Sequence, residues 1–170
     1  MKANRLWWLA LPALAAAPSA RTAPKDLPAS ERRAAEVTGA FFALSVADLA
    51  ASEKWYSERL GLSVVMRTPK QDKASAVVLE GDGLIVELIQ HDDAVPLARA
   101  APAVKSTMEV HGIVKAGVIV ADFDRTLAIL RERKVEIAFG PYPARPGQRA
   151  NVLVRDNAGN LIQFFGYKRE

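Results

Sequence analysis

The chain has 170 residues, of which 50% are hydrophobic and 25% are charged, and it contains no cysteine. This length and composition fit one globular domain with a substantial core, and they argue against a collagen, a disordered tail or a multi-span membrane protein. Without cysteine, disulfides, thiolate nucleophiles and cysteine-ligated metal sites are excluded. The net charge of +4 falls to +2 without Lys2 and Arg5, which is too little and too dispersed to predict a nucleic-acid partner.

Residues 1–20 have the layout of a secretory signal peptide. Lys2 and Arg5 precede an apolar run over residues 6–17, and small residues follow that run. The run is shorter than the ~20 residues that a membrane-spanning helix needs, so no stable membrane anchor is predicted. Residues 21–37 are rich in proline, alanine and charge, which predicts a flexible segment. We therefore expect an exported protein, periplasmic or secreted, with a cleavage site that the sequence leaves open.

The rest of the chain, residues 38–170, contains an internal repeat. The tripeptide VAD at residues 46–48 recurs at residues 120–122, an offset of 74, and Glu87 aligns with Gln163 at an offset of 76. Such self-similarity indicates two copies of one supersecondary unit. The predicted parts of this domain are module one over residues 38–91, a linker over 92–110 and module two over 111–168.

Each module is predicted to contain a strand, a helix and three further strands. Asp48 and Asp122 are N-cap residues, because a carboxylate can accept hydrogen bonds from the unpaired amides of a first helical turn. Gly61 supplies a left-handed end for the first helix. Turn residues at 82–83 and 157–160 precede the last strand of each module. The predicted fold class is therefore α+β, with two βαβββ modules in one domain.

The sequences VADLAASEKWYSERLGL at residues 46–62 and RDNAGNLIQFF at residues 155–165 resemble the opening and closing segments of the vicinal oxygen chelate superfamily. This superfamily holds glyoxalase I, extradiol dioxygenases and bleomycin-resistance proteins. The resemblance implies the glyoxalase/bleomycin-resistance fold, a curled mixed sheet around a cleft, where the enzymes of the family hold a metal through the first and last strands of each module. It leaves room for a homodimer, with the cleft formed either within one chain or between two.

By this resemblance the four metal-ligand positions correspond to Phe41, Glu87, Lys115 and Gln163. Only Glu87 is a strong metal ligand, since phenylalanine has no donor atom and lysine is protonated near neutral pH. We therefore predict no metal and no other cofactor. The prediction in place of the metal is an ion pair between Glu87 and Lys115 across the cleft, because an unpaired buried carboxylate is costly. The alternative is that Glu87 reaches solvent at the mouth of the cleft.

The leading interpretation is an exported, metal-free, glyoxalase-like protein that binds a small, partly apolar molecule in the cleft between the modules. The residues predicted to contact this ligand are Phe41, Ser45, Glu87, Lys115, Gln163 and Phe165. No catalytic residue is identified. One alternative is a lyase or dioxygenase-type enzyme with an unorthodox metal site around Glu87. The other is a structural or interaction module whose cleft is filled by its own side chains.

Overall fold

The computed structural model describes residues 38–167, and the order strand, helix, three strands occurs in it twice. The strands of module one are β1 (Ala40–Ser45), β2 (Ser63–Gln71), β3 (Ala74–Gly81) and β4 (Leu84–His91), and those of module two are β5 (Ala116–Val120), β6 (Glu136–Tyr142), β7 (Asn151–Arg155) and β8 (Leu161–Gly166). The helices are α1 (Leu49–Trp55), α2 (Leu97–Ala100) and α3 (Phe123–Glu132). The predicted signal peptide at 1–20 and the segment at 21–37 lie outside the described residues.

The eight strands form two four-stranded mixed sheets, with the orders β1-β4-β3-β2 and β5-β8-β7-β6. In each sheet the first strand runs parallel to the last, and the remaining pairs are antiparallel. Parallel neighbours need a crossover connection, and the helix that follows the first strand begins it in both modules. The predicted α+β class with two βαβββ modules is confirmed.

The predicted aspartate caps begin both long helices. The Oδ1 atom of Asp48 accepts a hydrogen bond of 2.9 Å from the amide of Ala51, and Oδ1 of Asp122 accepts one of 2.9 Å from the amide of Arg125. Both aspartates have extended backbone conformations, as N-cap residues do. Gly61 ends the first helical segment with a φ of 77°, which confirms its predicted left-handed role.

A π-helical segment, Tyr56–Leu60, continues α1 and has no counterpart in module two among the described elements. Leu62 and Val135 are the buried residues that follow the two helical segments, and they lie 73 residues apart, although the capping aspartates lie 74 apart. Module one therefore holds one extra residue in its helix, which is the insertion that a π-helical turn accommodates.

One apolar core joins the helix-facing sides of the two sheets. Residues 38–167 belong to a single compact unit. As strand alternation predicts, Phe42 and Leu44 of β1 and Val118 and Val120 of β5 pack against this core. The fully buried members include Tyr56, Leu79, Leu88, Val152, Val154 and Ile162.

Polar contacts between the modules start from α1 and its π-helical continuation. The hydroxyl of Tyr56 donates a 2.9 Å hydrogen bond to Oδ2 of Asp156, and Nδ2 of Asn157 donates one of 3.1 Å to Oγ of Ser52. Arg59 and Arg133 each donate through Nη1 to the other's carbonyl oxygen, at 2.5 and 3.2 Å. The modules are thus joined through the side of the sheets that carries the helices. None of the helices within 38–167 is both long and apolar enough to cross a membrane.

Candidate functional site

Each sheet buries one side against the helices and leaves its other side open. In module one the open side, called face one, carries Phe41, Ala43, Ser45, Met66, Val78, Ile85, Glu87 and Ile89. In module two the open side, called face two, carries Gly117, Ile119, Phe139, Tyr142, Asn151, Leu153, Gln163 and Phe165. These sets follow from the strand registers, because directly opposed residues lie on the same side of a sheet and alternate residues share a side.

Face one holds three of the six predicted ligand-binding residues. Phe41 and Ser45 lie on β1, and the Phe41 side chain is 62% exposed. Glu87 lies on the adjacent β4, opposed by Ala43 on one side and Val78 on the other, and it is half-buried. A carboxylate therefore stands in the middle of a largely apolar surface.

Face two holds the other three and forms a pocket of about 250 Å³ around them. Lys115 precedes β5 at the edge of this pocket, and Gln163 and Phe165 of β8 contribute to its wall. Gln163 is only 6% exposed, and its Nε2 donates a 2.9 Å hydrogen bond to Oδ1 of Asn151 on β7. This bond orients the carboxamide within an otherwise apolar wall.

The floor of the pocket is the backbone of β5 at Gly117. A Cβ atom at this position would lie 3.1 Å from the carbonyl oxygen of Gln163, so a side chain here would crowd the neighbouring strand. Ile119 follows on the same side and is 60% exposed. The pocket therefore combines a bare, flat stretch of sheet with apolar side chains and two polar groups, Lys115 and Gln163.

The structure brings together Lys115, Gln163 and Phe165, and it leaves Phe41, Ser45 and Glu87 on the other sheet. All residues that line the pocket belong to module two. The expected ion pair between Glu87 and Lys115 is not formed within the chain, since the ion pairs found within residues 38–167 involve neither side chain. The physical reason is that the modules join through their helix-bearing sides, so face one does not cover face two.

The donor set at the four family positions does not fit a divalent cation. Glu87 offers one carboxylate on one sheet, while Gln163 offers a neutral carboxamide on the other, and Phe41 offers no donor. Across the described part of the chain, no three or more His, Asp or Glu side chains cluster closely enough to hold a metal. No reaction step can be derived through a metal at these positions.

Two features of the structure are not among the predictions made from the sequence. Phe139 of β6 and Met66 of β2 lie on the open faces, and each is about half exposed. Register shifts interrupt the alternation of both strands, so the sequence does not indicate on which side of the sheet these residues lie. A second depression of about 790 Å³ lies between the start of α3 and residues 144–150. The internal repeat could have predicted this depression, because module two has Gly166, which has no side chain, at the position where module one has Gln90.

A comparison of the sequence with models of known protein families identifies the superfamily of this chain. Residues 40–164 match the family model of the Glyoxalase/Bleomycin resistance protein/Dioxygenase superfamily. No functionally curated protein matches the chain in sequence.

Solved structures share the fold at low sequence identity. A glyoxylase/bleomycin resistance protein/dioxygenase domain from Frankia sp. EAN1pec is 19% identical with a TM-score of 0.61, covering 79% of this chain and 93% of that one. The antibiotic binding protein TnmS3 from Streptomyces sp. CB03234 is 18% identical with a TM-score of 0.55, covering 80% and 100%. A lactoylglutathione lyase from Agrobacterium tumefaciens is 20% identical with a TM-score of 0.50, covering 79% and 95%. At these identities the likeness concerns the fold alone. The matched family model and the two βαβββ modules in the expected order show that this chain belongs to the glyoxalase/bleomycin resistance/dioxygenase superfamily.

Proposed function

We propose that this protein is an exported, metal-free, glyoxalase-like protein that binds a small, partly apolar molecule on face two. The observation that carries the proposal is the pocket of about 250 Å³ lined by Lys115, Gly117, Ile119, Gln163 and Phe165. Small-molecule sites are mostly apolar and contain a few placed polar groups, and their volumes run from about 300 to 1,000 Å³. The face-two pocket has this character and is slightly below this size.

The shape of the pocket favours a ligand with a flat apolar part. Gly117 keeps the floor free of side chains, and Phe165 and Ile119 offer apolar surface beside it. Gln163 is fixed by its bond to Asn151, so its carboxamide can orient a polar group of the ligand without first losing rotational freedom.

Binding is favoured over catalysis by the distribution of ionisable groups. Glu87 is the one carboxylate at the family's ligand positions, and it lies on the sheet of module one, whereas the pocket lies on the sheet of module two. The pocket itself contains Lys115 as its ionisable group and no carboxylate or imidazole that could serve as a general acid or base. Among the structural neighbours, TnmS3 is described as an antibiotic binding protein, which supports a binding role for the present chain.

The neutral dye Nile red, whose fluorescence rises in apolar surroundings, tests the site. We expect saturable binding that Ile119→Ala weakens by about fivefold, the equivalent of about 1 kcal/mol of lost apolar contact. The matched control is Ile113→Ala, because Ile113 is also exposed and does not line the pocket. Absence of saturable binding, or an equal effect of both substitutions, would overturn the proposed site.

Elemental analysis by mass spectrometry tests the metal-free assignment. The chain is purified without a metal-affinity column and dialysed against Zn²⁺, Ni²⁺, Mn²⁺ or Fe²⁺ before excess metal is removed. We expect no retained metal. About one equivalent retained in the wild type and lost in Glu87→Gln would replace the binding protein with an enzyme built around Glu87.

A reporter fusion tests export. Residues 1–37 are joined to an alkaline phosphatase without its own leader, which is active only where disulfides form. We expect phosphatase activity in intact cells, and we expect Leu9→Arg to abolish it because a charge interrupts the apolar run. Equal activity of the two fusions would contradict the signal peptide.

A further inference from the structure

The depression between the start of α3 and residues 144–150, here called the arginine depression, takes no part in the proposed function. Its volume of about 790 Å³ lies within the range of about 300 to 1,000 Å³ that small-molecule sites occupy. It shares no lining residue with the face-two pocket. Phe165 lines that pocket and the next residue, Gly166, lines the depression, so the two cavities open on opposite sides of β8. The arginine depression is therefore a second candidate binding site.

The depression reaches a position where module two lacks a side chain that module one has. In module one Gln90 occupies this position, and its Oε1 accepts a 2.8 Å hydrogen bond from the amide of Leu49. Gly166 at the matching position of module two supplies no acceptor and lines the depression instead. Module two therefore leaves open a place that module one fills with a polar group of its own.

Three arginine side chains line this depression: Arg125, Arg145 and Arg149. The ion pairs found within residues 38–167 involve none of them. Exposed arginines are ordinary, but Arg149 is half-buried, and a cation that leaves water without a carboxylate partner carries a desolvation cost. An anionic ligand in the depression would offset this cost.

Two of these arginines are carried by a closed turn. The backbones of Arg145 and Gln148 exchange hydrogen bonds of 3.1 and 2.8 Å, and Gly147 takes the left-handed conformation that the turn requires, with a φ of 76°. Arg145 begins this turn and Arg149 follows it directly. Because the backbone is fixed before any ligand arrives, binding does not have to order the turn.

The depression also contains two carboxylates, so the balance of charge decides which ligand it favours. Oδ1 of Asp122 accepts the cap hydrogen bond from the amide of Arg125, and Asp124 follows in the first turn of α3. Three arginines against two aspartates leave a formal charge of +1. Guanidinium groups match the geometry of carboxylate and phosphate oxygens. The ring of Tyr167, which is 68% exposed, adds aromatic surface beside them.

We propose that the arginine depression binds a small organic anion, in which a carboxylate, phosphate or similar oxyanion is joined to an aromatic body. Arg145 and Arg149 pair with the oxyanion, and Tyr167 and Phe123 contact the aromatic body. This site goes beyond the proposed function, because it lies on the other side of β8 and needs no residue of face two. One chain therefore holds a ligand at each site independently.

The anionic dye anilinonaphthalene sulfonate, which fluoresces in apolar surroundings, tests the site on the full chain. We expect saturable binding that Arg149→Ala weakens about tenfold, because a charge-assisted contact is lost. The matched control is Arg131→Ala, which removes the same charge from an exposed position of α3 outside the depression and should change binding less than about twofold. Misfolding does not explain a loss, since loosely packed proteins bind more of this dye.

Neutralising an aspartate tests the charge in the opposite direction. Asp124→Asn should strengthen dye binding by about twofold, because a repelling carboxylate is removed from the depression. Glu132→Gln, at the exposed far end of α3, is the control and should change binding little.

Competition tests the chemical class of the ligand. Benzoate and phenyl phosphate should displace the dye, whereas benzyl alcohol, which has the same ring without the charge, should not displace it at the same concentration. The lower displacing concentration of the two anions identifies whether carboxylate or phosphate is preferred. Equal displacement by benzyl alcohol would show that the depression binds apolar molecules irrespective of charge and would overturn the proposal.

Crossing the two dyes separates this site from face two. We expect Ile119→Ala to leave binding of the anionic dye unchanged, and Arg149→Ala to leave binding of Nile red unchanged. No saturable binding of the anionic dye, an Arg149→Ala variant no weaker than Arg131→Ala, or an equal loss in Ile119→Ala would each overturn the inference. Binding of the anionic dye without binding of Nile red would support the inference and overturn the proposed function.

Discussion

The two modules share strand order and helix caps, but they build the turn before their last strand differently. In module one a short turn at Asp82 and Gly83 connects Gly81 directly to its register partner Leu84. In module two the turn is longer, and it is organised by Asp156, which is 4% exposed. A longer turn contains more backbone amides that have no hydrogen-bond partner on a neighbouring strand, and these amides need other acceptors.

Asp156 supplies those acceptors and one more contact. Its Oδ1 accepts hydrogen bonds from the amides of Ala158 and Asn160, at 2.9 and 2.7 Å, and its Oδ2 accepts one from Nδ2 of Asn160 at 2.9 Å. The fourth donor is the hydroxyl of Tyr56, from module one. Asp156 therefore accepts the hydrogen bonds that its own turn requires and also forms a polar link between the two modules.

The largest effect is expected from Asp156→Ala. The substitution removes the acceptor of all four hydrogen bonds, and each buried donor left without a partner costs about 1–3 kcal/mol. Since turn amides can regain water, we expect a loss of about 3 kcal/mol in the free energy of unfolding, measured by urea denaturation. Asp156→Asn keeps part of the network and should lose less.

The control for this prediction is Glu80→Ala. Glu80 is an exposed acid one residue before the corresponding region of module one, and it accepts no side-chain hydrogen bond found within the described residues. We expect a change within about 0.5 kcal/mol, as for most surface substitutions. A loss as large as that of Asp156→Ala would mean that the two turns do not differ in the way described.

Tyr56→Phe isolates the link between modules from the turn itself. The free energy of unfolding should fall by about 1–2 kcal/mol, because Oδ2 of Asp156 loses one donor in a buried setting. Leu130 occupies the matching helix position in module two and is buried without a polar contact, so it shows that the position tolerates an apolar side chain.

The same residue predicts a dependence on alkaline pH. Burial raises the pKa of the Tyr56 hydroxyl well above its ordinary value of 10.0, and the Asp156 carboxylate adds to this shift. The folded state therefore keeps the proton where the unfolded state loses it, and this stability is fully present below pH 10 and declines above it. The wild type should lose about 1.4 kcal/mol per pH unit more than Tyr56→Phe above pH 10. Parallel curves for the two proteins would contradict the shift.

Gln90→Ala tests a second difference between the modules. Oε1 of Gln90 accepts a 2.8 Å hydrogen bond from the amide of Leu49 in the first turn of α1. Module two has Gly166 at the matching position, where a Cβ would lie 3.2 Å from that of Phe123. We expect the substitution to lower the free energy of unfolding by about 1 kcal/mol. Gln148→Ala, in an exposed turn, is the control and should change it little.

Much of this structure could be predicted because its causes are local. The aspartate caps, the left-handed Gly61 and the buried side of β1 depend on neighbouring residues and on strand alternation. The π-helical turn was missed, because a single inserted residue leaves the apolar spacing of α1 almost unchanged. Asp156 precedes the predicted turn at 157–160 and is assigned no role from the sequence, because its burial depends on Tyr56, 100 residues away in the chain.

The candidate site was predictable residue by residue but not as an assembly. The family resemblance places Glu87 and Gln163 on the cleft side of their strands, and both residues lie on the sides that carry no helix. Alternation does not determine which sheet faces which, because that depends on the packing of the helix-bearing sides. The predicted ion pair between Glu87 and Lys115 within one chain is wrong for this reason, because the two residues lie on different sheets whose open faces do not meet.

The smallest effect is expected at an ion pair that only module one possesses. Glu53 on α1 accepts a bidentate contact from Arg67 on β2, whereas Leu127 at the matching position of α3 is buried in the core. The hydrogen bond from Arg67 lowers the pKa of Glu53 below its ordinary value of 4.5, so the contribution is present above pH 4.5 and is lost as pH falls through the lowered pKa. Both side chains touch solvent, and exposed pairs contribute little and are screened by salt. Glu53→Gln should therefore lower the thermal midpoint slightly at pH 7 and low salt, and the difference should vanish in 1 M NaCl, where the Debye length is about 3 Å. A difference that persisted in salt would show that the directional hydrogen bonds from Arg67, and not the screened charges, carry the contribution, because glutamine keeps the packing of glutamate.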